Sequence, residues 1–494
     1  MSSDRRIFAL GLASLASAAC LSRQGAKPPE FPAGGLVALS KPPPNPWSLA
    51  NVLEGVYDTS SRFGSGIVIH ASQWGDVASG VRSSVAILAG DHFAYALMQP
   101  GCLVDTTTTP ATTRLVLEGY WRYLDDPDPS PTTTGLIRLF VAPQAVVDYV
   151  CSAPAWPSDA LPEDPRPPPG VQAALSGSTG AGENTPGDPL TVTWVKPRKS
   201  RNGLDGQQSF FVGVHHGGCQ TTDNCGISEN TPESAILATQ LGGDYFEADT
   251  HLTADQVPVF FHLSLNPAVV QGVFCTGKVE DYTYAQLLAN CRLRNGEVIP
   301  RVEDMLSYVL RRTKLPLYLD SKTSSVIVPV SQILNQLDQD LVPCNPPPPG
   351  SPTPWPPAGK QCLFPGSAPV WQRGVIGLPA AEDVSAYVQA LNAGQLAPNQ
   401  HCLIEEDASD VTSVPCVAWM PRYTRGPMTS TAQPLQQQGY FVGFWTINDP
   451  ATIDAFLTNA SPNGILTNYL GLLNQRFEAV GTPPPNSPYR TTMP

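Results

Sequence analysis

Charge is scarce in this 494-residue chain: Asp, Glu, Lys and Arg together make up 14% of it, against about 25% in ordinary soluble domains. Basic residues are the scarcer kind, 29 Lys plus Arg against 42 Asp plus Glu, for a formal net charge of −13. A polyanion-binding surface needs the opposite balance, so nucleic acid is excluded as a partner class. The apolar stretch at 7–19 is too short to span a bilayer. No glycine-rich phosphate fingerprint follows any strand-like segment, which disfavours an open dinucleotide-binding sheet. No cysteine pair has metal-finger spacing with histidines, and histidine itself is rare, seven in all.

What the chain has in abundance is proline, 53 residues, and glycine, 41, together with eleven cysteines. The N-terminus "MSSDRRIFALGLASLASAAC" places Arg5 and Arg6 before that short apolar run and small residues after it. This is the layout of an export signal over 1–20. "RRIF" is similar to a twin-arginine signal, and "SAAC" to a lipoprotein cleavage site with Cys20 as the lipidated residue and hence a membrane tether. Ordinary cleavage near Ala18 is the alternative. Either way the mature protein is expected in a bacterial periplasm, cell envelope or extracellular space. Without Cys20, ten cysteines remain, an even number that fits disulfides in an oxidising compartment. Close spacings suggest Cys102 with Cys151, Cys219 with Cys225 and Cys275 with Cys291; Cys344, Cys362, Cys402 and Cys416 can supply two more pairs.

Composition divides the rest. Residues 21–63 read as a proline-rich leader. From 64 to 151, runs such as "SGIVIHA", "SVAIL", "FAYALM", "RLVLEGYWRY" and "GLIRLFV" are short, β-branched and aromatic, and separated by turn signals. They predict a small all-β domain, sandwich or barrel-like. Residues 152–202 are linker by composition, and 483–494 a tail. Between 203 and 482, strand-like and helix-like stretches alternate, with a Pro/Cys-rich insertion at about 343–369. About eight strands alternating with helices over some 280 residues predict an α/β fold, a (β/α)8 TIM-type barrel.

Such a barrel carries its chemistry at the C-terminal ends of its strands. The segment "FVGVHHGGCQTTDNCGISENTPESA" ends a strand at His215 and His216, and Thr231-Pro232 starts the next helix as N-cap and first-turn proline. Glu229 and Asn230 then lie in the loop above the barrel mouth. In "YFEADTH", Glu247, Asp249 and His251 share one face through the two-residue period of a strand. Two carboxylates aimed into a barrel cost several kcal/mol each if left unpaired. A divalent cation relieves this, and oxygen ligands favour Mg2+ or Ca2+ over zinc. His262 closes "VPVFFH", and Asp320 closes "LPLYLD" with Lys322 two residues on.

Taken in order, His215-His216-Gly217, Glu229-Asn230-Thr231, Glu247-Ala248-Asp249, His262-Leu263, "IPRVEDML", "LDSK", "FWTIND" and "NGILTN" resemble the motifs of the glycerophosphodiester phosphodiesterases. The resemblance covers most of 205–480. It implies a TIM-type barrel with one divalent cation, Mg2+ or Ca2+, held by Glu247, Asp249 and Asp320. It implies His215 and His262 as general acid and base. It places His216, Glu229, Asn230, Lys322 and Trp445 around a small-molecule glycerophosphodiester or lipid head-group substrate. Three positions depart from the pattern: His216 stands for an arginine, Leu263 for an aspartate and Asp320 for a glutamate. The implied activity is cleavage of a glycerophosphodiester to glycerol 3-phosphate and an alcohol. The alternatives are a catalytically altered barrel serving as an envelope binding module, and a lipid hydrolase of the phospholipase or sphingomyelinase D type.

Overall fold

The computed structural model describes residues 41–59, 63–90, 94–105, 110–123, 133–153, 172–180, 188–199, 210–217, 226–262, 264–272, 274–344, 356–460 and 462–480. The expected export signal with Cys20, most of the expected leader, Cys219 and Cys225, Leu263 and the tail lie outside the described residues. Among those described, no helix is long and apolar enough to cross a membrane.

The chain forms two closed barrels. In the first, eight strands run β1 (Gly55–Thr59), β2 (Ile67–Trp74), β3 (Arg82–Leu88), β4 (Tyr95–Asp105), β5 (Thr112–Arg122), β6 (Thr134–Ala142), β7 (Ala174–Thr179) and β8 (Asp188–Lys196). Each pairs antiparallel with its sequence neighbour, and β1 closes on β8. The small β domain is therefore a barrel, and it extends well past residue 151. Its last two strands come from the stretch expected to be linker. Small residues make β7 ("ALSGST") inconspicuous, while β8 alternates buried Leu190 and Val192 with exposed neighbours. Both edges of an otherwise open sheet need a partner, and these two strands supply it. A disulfide joins Cys102 on β4 to Cys151, which ends the helix Gln144–Cys151.

The second barrel is parallel. Its strands are β9 (Phe211–His215), β10 (Tyr245–Leu252), β11 (Leu317–Ser321), β12 (Gly374–Leu378), β13 (His401–Ile404), β14 (Ala418–Trp419), β15 (Phe441–Phe444) and β16 (Gly464–Thr467), with β16 and β10 both pairing β9. A helix follows each strand: Pro232–Gln240, Val302–Arg312, Ile327–Asp340, Ala381–Asn392, Ala408–Ser413, Thr429–Gln437, Pro450–Asn459 and Leu470–Val480. The first starts as the sequence predicts, with Thr231 and Ser234 forming a reciprocal cap and Pro232 in the first turn. The strand Pro258–Phe260, within "VPVFFH", is no barrel stave. It folds back antiparallel on the end of β10 and opens an excursion stapled by Cys275–Cys291. Two further disulfides, Cys344–Cys362 and Cys402–Cys416, tie the flanks of the proline-rich insertion and the β13–β14 connection.

Inside the parallel barrel, Phe211, Tyr245, Tyr318, Val375, Leu403, Met420, Phe441 and Leu466 pack as one plug. Two rings fit only because their neighbours lack a side chain: a Cβ at Gly213 would meet Tyr245 at 2.2 Å, and one at Gly377 would meet Tyr318 at 2.1 Å. This plug forms the floor beneath the strand ends, where the polar residues gather.

The two barrels share an interface. Val68, Ala86, Leu88 and Tyr95 of the first belong to the same buried cluster as Ala235, Leu241, Leu470 and Leu473, which flank β9 on the second. Polar contacts rim it. Arg198 donates to Glu478 (3.3 Å) and Asn474 (2.7 Å) and lies 3.6 Å from Glu54, which also meets His70 at 2.9 Å. Burial works against ionised Glu54, but His70 and Arg198 outweigh it and hold the carboxyl down at about 2. A carboxyl depressed on folding stabilises the native state above its unfolded pKa, and this contribution is lost as pH falls from about 4.5 toward 2. Glu54→Gln is accordingly expected to lower the melting midpoint by several degrees at pH 7, with about 2–4 °C per kcal/mol, and by clearly less at pH 3. Thermal scans of both proteins at the two pH values check this; equal losses at both would remove the electrostatic role.

Candidate active site

The two adjacent histidines sit side by side because the backbone turns between them. Successive residues of a strand point to opposite faces, but His216 adopts φ +52°, a left-handed conformation rare for a residue with a Cβ. Its ring thus stacks on that of His215 with centroids 3.6 Å apart. Gly217 continues the turn at φ +107°, where a Cβ would strike Ser234 at 2.5 Å.

His216 is buried in a cage of carboxylates. Its Nε2 lies 3.0 Å from Asp249 Oδ2 and 3.4 Å from Glu247 Oε2, its Nδ1 lies 3.3 Å from Glu229 Oε2, and its backbone N–H donates to Glu247 at 3.2 Å. Burial disfavours the imidazolium, but Asp249, Glu247 and Glu229 together outweigh it and raise the pKa well above the usual value. The stacked neighbour goes the other way. Burial, reinforced by the charge of His216, pushes His215 well below its usual range. The Nδ1 of His215 stands 2.8 Å from Asn468 Oδ1. An amide oxygen only accepts, so Nδ1 carries the proton and Nε2 keeps its lone pair. The two stacked imidazoles are thus shifted in opposite directions.

The acidic residues come from the expected strands. Register pairs Glu247 with His215 and Asp249 with Asp320, so β9, β10 and β11 bring their polar ends to one level. Glu247, Asp249 and Asp320 are all buried, and oxygens of the three lie within 4.8 Å of one another. Asp320 Oδ1 is buried with no hydrogen-bond partner among the described residues. Lys322 stands between the two aspartates, 2.6 Å from Asp249 Oδ1 and in contact with Asp320 Oδ2. Burial and the adjacent Asp249 raise the Glu247 carboxyl well above the usual range. For Asp249 burial is overcome by His216 and Lys322, and its carboxyl stays well below that range. Three clustered carboxylates with an orphaned oxygen fit a hard divalent cation, and they would hold it through oxygen alone.

A cavity of about 120 Å3 opens onto this group, lined by His215, His216, Glu247, His262, Asp320, Lys322 and Trp445, with Tyr318, Glu405, Arg422 and Leu466 completing the wall. His262 faces the caged histidine at 4.0 Å between centroids, and its Nδ1 lies 3.5 Å from Glu229 Oε1. Glu229 thus sits between His216 and His262. Asn230, expected at the substrate, is buried behind the wall instead. Its amide donates to Asp249 Oδ2 (2.9 Å) and accepts the Asp249 N–H (3.0 Å), so it positions that carboxylate. His251 leaves the site: it meets Glu280 of the excursion at 2.7 Å.

Four cavity or supporting residues escape a reading of the sequence. Glu405 follows β13 and accepts the hydroxyl proton of Tyr318; burial and then Asp320 raise its carboxyl well above the usual range. It is the first residue after β13, a strand end like that of Asp320 in "LPLYLD", so the same strand-end rule applies to it. Tyr318 hides inside an apolar run. Arg422 and Asn468 follow strands of two and four residues, too short to reveal which residue ends them.

Asn230 offers a test of this arrangement. It sits at φ +57°, a conformation asparagine tolerates better than alanine. Asn230→Ala removes both bonds to Asp249 and adds backbone strain, together about 2–4 kcal/mol. Chemical denaturation should show a clearly earlier unfolding midpoint for the barrel. A midpoint matching the wild type would mean that Asp249 holds its position without Asn230.

The family model for "Glycerophosphoryl diester phosphodiesterase family" matches residues 215–326. Among solved structures, the chain is similar to a glycerophosphodiester phosphodiesterase from Parabacteroides distasonis (15% identity, 56% of this chain and 98% of that one, TM-score 0.39). It is similar as well to a phosphodiesterase from Oleispira antarctica in complex with the product sn-glycerol-3-phosphate (16%, 54% and 96%, 0.40). A third likeness is to a glycerophosphodiester phosphodiesterase from Thermotoga maritima (14%, 53% and 96%, 0.37). No curated protein matches the chain. The matched segment begins at the first of the paired histidines and runs through Glu247, Asp249, His262 and Lys322, so these residues carry a domain of the glycerophosphoryl diester phosphodiesterase family, and the chain is an enzyme of the phosphodiester hydrolase class.

Proposed function

We propose that the protein is an exported, metal-dependent hydrolase of glycerophosphodiesters, releasing glycerol 3-phosphate and an alcohol from a TIM-type (β/α)8 barrel. The observation that carries this reading is the meeting, at one cavity, of three clustered carboxylates with His215 and His262. Four disulfides among the described residues support an oxidising destination, periplasm, envelope or exterior.

A phosphodiester is an anion and a poor electrophile. A divalent cation, Mg2+ or Ca2+, held by Glu247, Asp249 and Asp320 would supply charge neutralisation at its non-bridging oxygens. The chain's own residues provide the proton transfers. His215 has the geometry of a base: its Nδ1 is turned to Asn468, burial keeps the ring neutral, and Nε2 is left to accept. His262 stands opposite, its ring centroid 6.4 Å from that of His215, and is placed to give a proton to the departing alkoxide. His216 plays neither role; its charge is matched by Glu229, Glu247 and Asp249, and it organises them. Lys322 likewise balances Asp249 and Asp320 beside the bound phosphate. The cavity of about 120 Å3 holds roughly four waters' worth of liquid volume. It therefore takes the phosphoryl end of a substrate and leaves the alcohol toward the mouth, beside Trp445.

The test is release of glycerol 3-phosphate from glycerophosphocholine and glycerophosphoethanolamine, with Mg2+, with Ca2+ and with chelator. Release is expected with metal and none with chelator. His215→Ala and His262→Ala should each lower turnover by about 10²–10⁴-fold while melting normally, and Glu247→Gln should raise the metal concentration needed for half-maximal rate. Full turnover in the chelated enzyme, or in His262→Ala, would overturn the assignment.

A further inference from the structure

An anionic substrate needs a cation that is not already matched by protein carboxylates. The cationic side chains around the cavity can be followed one by one. Lys322 is bound between Asp249 and Asp320. His216 is enclosed by Glu229, Glu247 and Asp249. Arg422 remains. It lines the cavity, and among the described residues its guanidinium lies over the Trp445 ring and is paired with no carboxylate.

Its position is nevertheless set. Arg422 follows β14 and pairs through its backbone with Trp445 across a parallel bridge, and Tyr423 N–H donates to Trp445 O at 2.9 Å. The Trp445 indole is anchored by its Nε1–H to Met420 O at 2.6 Å. The guanidinium carbon lies 4.7 Å from the centroid of that indole. Stacking on an aromatic face orients the planar fork without neutralising it. The five N–H groups stay available to an incoming oxyanion.

We propose that Arg422, stacked on Trp445, is the phosphate-gripping residue of this cavity, a specificity determinant for substrates with a negatively charged phosphodiester. The inference rests on the hydrolase reading and deepens it. It also answers the departure at His216: the residue next to the first strand's end is locked among carboxylates, and the fixed, bidentate cation comes from the opposite side of the barrel mouth. Arg422 acts on binding. Because the residue is exposed at the rim, solvent screens its charge and the effect is moderate.

Arg422→Gln and Arg422→Lys would be compared with the wild type in two measurements, both with Mg2+ present. The first is KM and kcat for glycerophosphocholine. The second is the affinity for inorganic phosphate by calorimetry, which needs no turnover. Arg422→Gln is expected to raise KM about tenfold, to weaken phosphate binding by a similar factor, and to leave kcat within about threefold. Arg422→Lys should fall between, since it keeps the charge and loses the fork. KM and phosphate affinity within twofold of wild type in Arg422→Gln would overturn the proposal, as would a fall in kcat alone. A folded wild type that releases no glycerol 3-phosphate would sink the hydrolase reading, and the phosphate titration would then decide on Arg422 by itself.

Discussion

The site depends on one balance of charge, the enclosure of His216 by Glu229, Glu247 and Asp249. Buried carboxylates on adjacent strands repel, and water is not there to screen them. The His216 imidazole placed among them, with Lys322 on the far side of Asp249, keeps the group compact. Burial, reinforced by the charge of His216, pushes the stacked His215 well below its usual range. A single turn of backbone, left-handed at His216, therefore brings the two oppositely shifted rings face to face.

Around that balance the fold supplies rigidity. The polar groups stand on strand ends over a plug of aromatic and aliphatic side chains, with Tyr245 and Tyr318 wedged against glycines. Support comes from behind as well. Asn230 grips Asp249 from the first loop, Asn468 holds His215 from the last strand, and Tyr318 reaches Glu405 from the floor. Residues far apart in sequence thus fix each other's rotamers, the condition for a site of fixed geometry.

Much of this was legible in the sequence, for physical reasons that differ from element to element. The helix Val302–Arg312 announces itself through an apolar stripe, acids in its first turn and arginines in its last. Glu247 and Asp249 are visible because a carboxylate in an apolar strand needs a reason. What stayed hidden has no local signature. The strands β7 and β8 carry too few large apolar residues, and the helix Thr429–Gln437 contains Pro434. Arg422 reads as a surface residue until barrel closure places it at the cavity rim beside Trp445. Its role belongs to the closed ring of strands, and only closure reveals it.

The docking of the first barrel on the helices Pro232–Gln240 and Leu470–Val480 has a consequence for how the molecule is assembled. Those helices are the first and the last of the parallel barrel, and they flank β9, where the ring of strands is sealed by β16. During synthesis the antiparallel barrel is complete some 300 residues before the chain ends, and domains fold in the order they emerge. Its outer face is then a finished template waiting for two segments that are made at different times. Both helices, made at different times, pack on that one face. The N-terminal barrel therefore contacts the catalytic ring at the seam where its first and last strands meet.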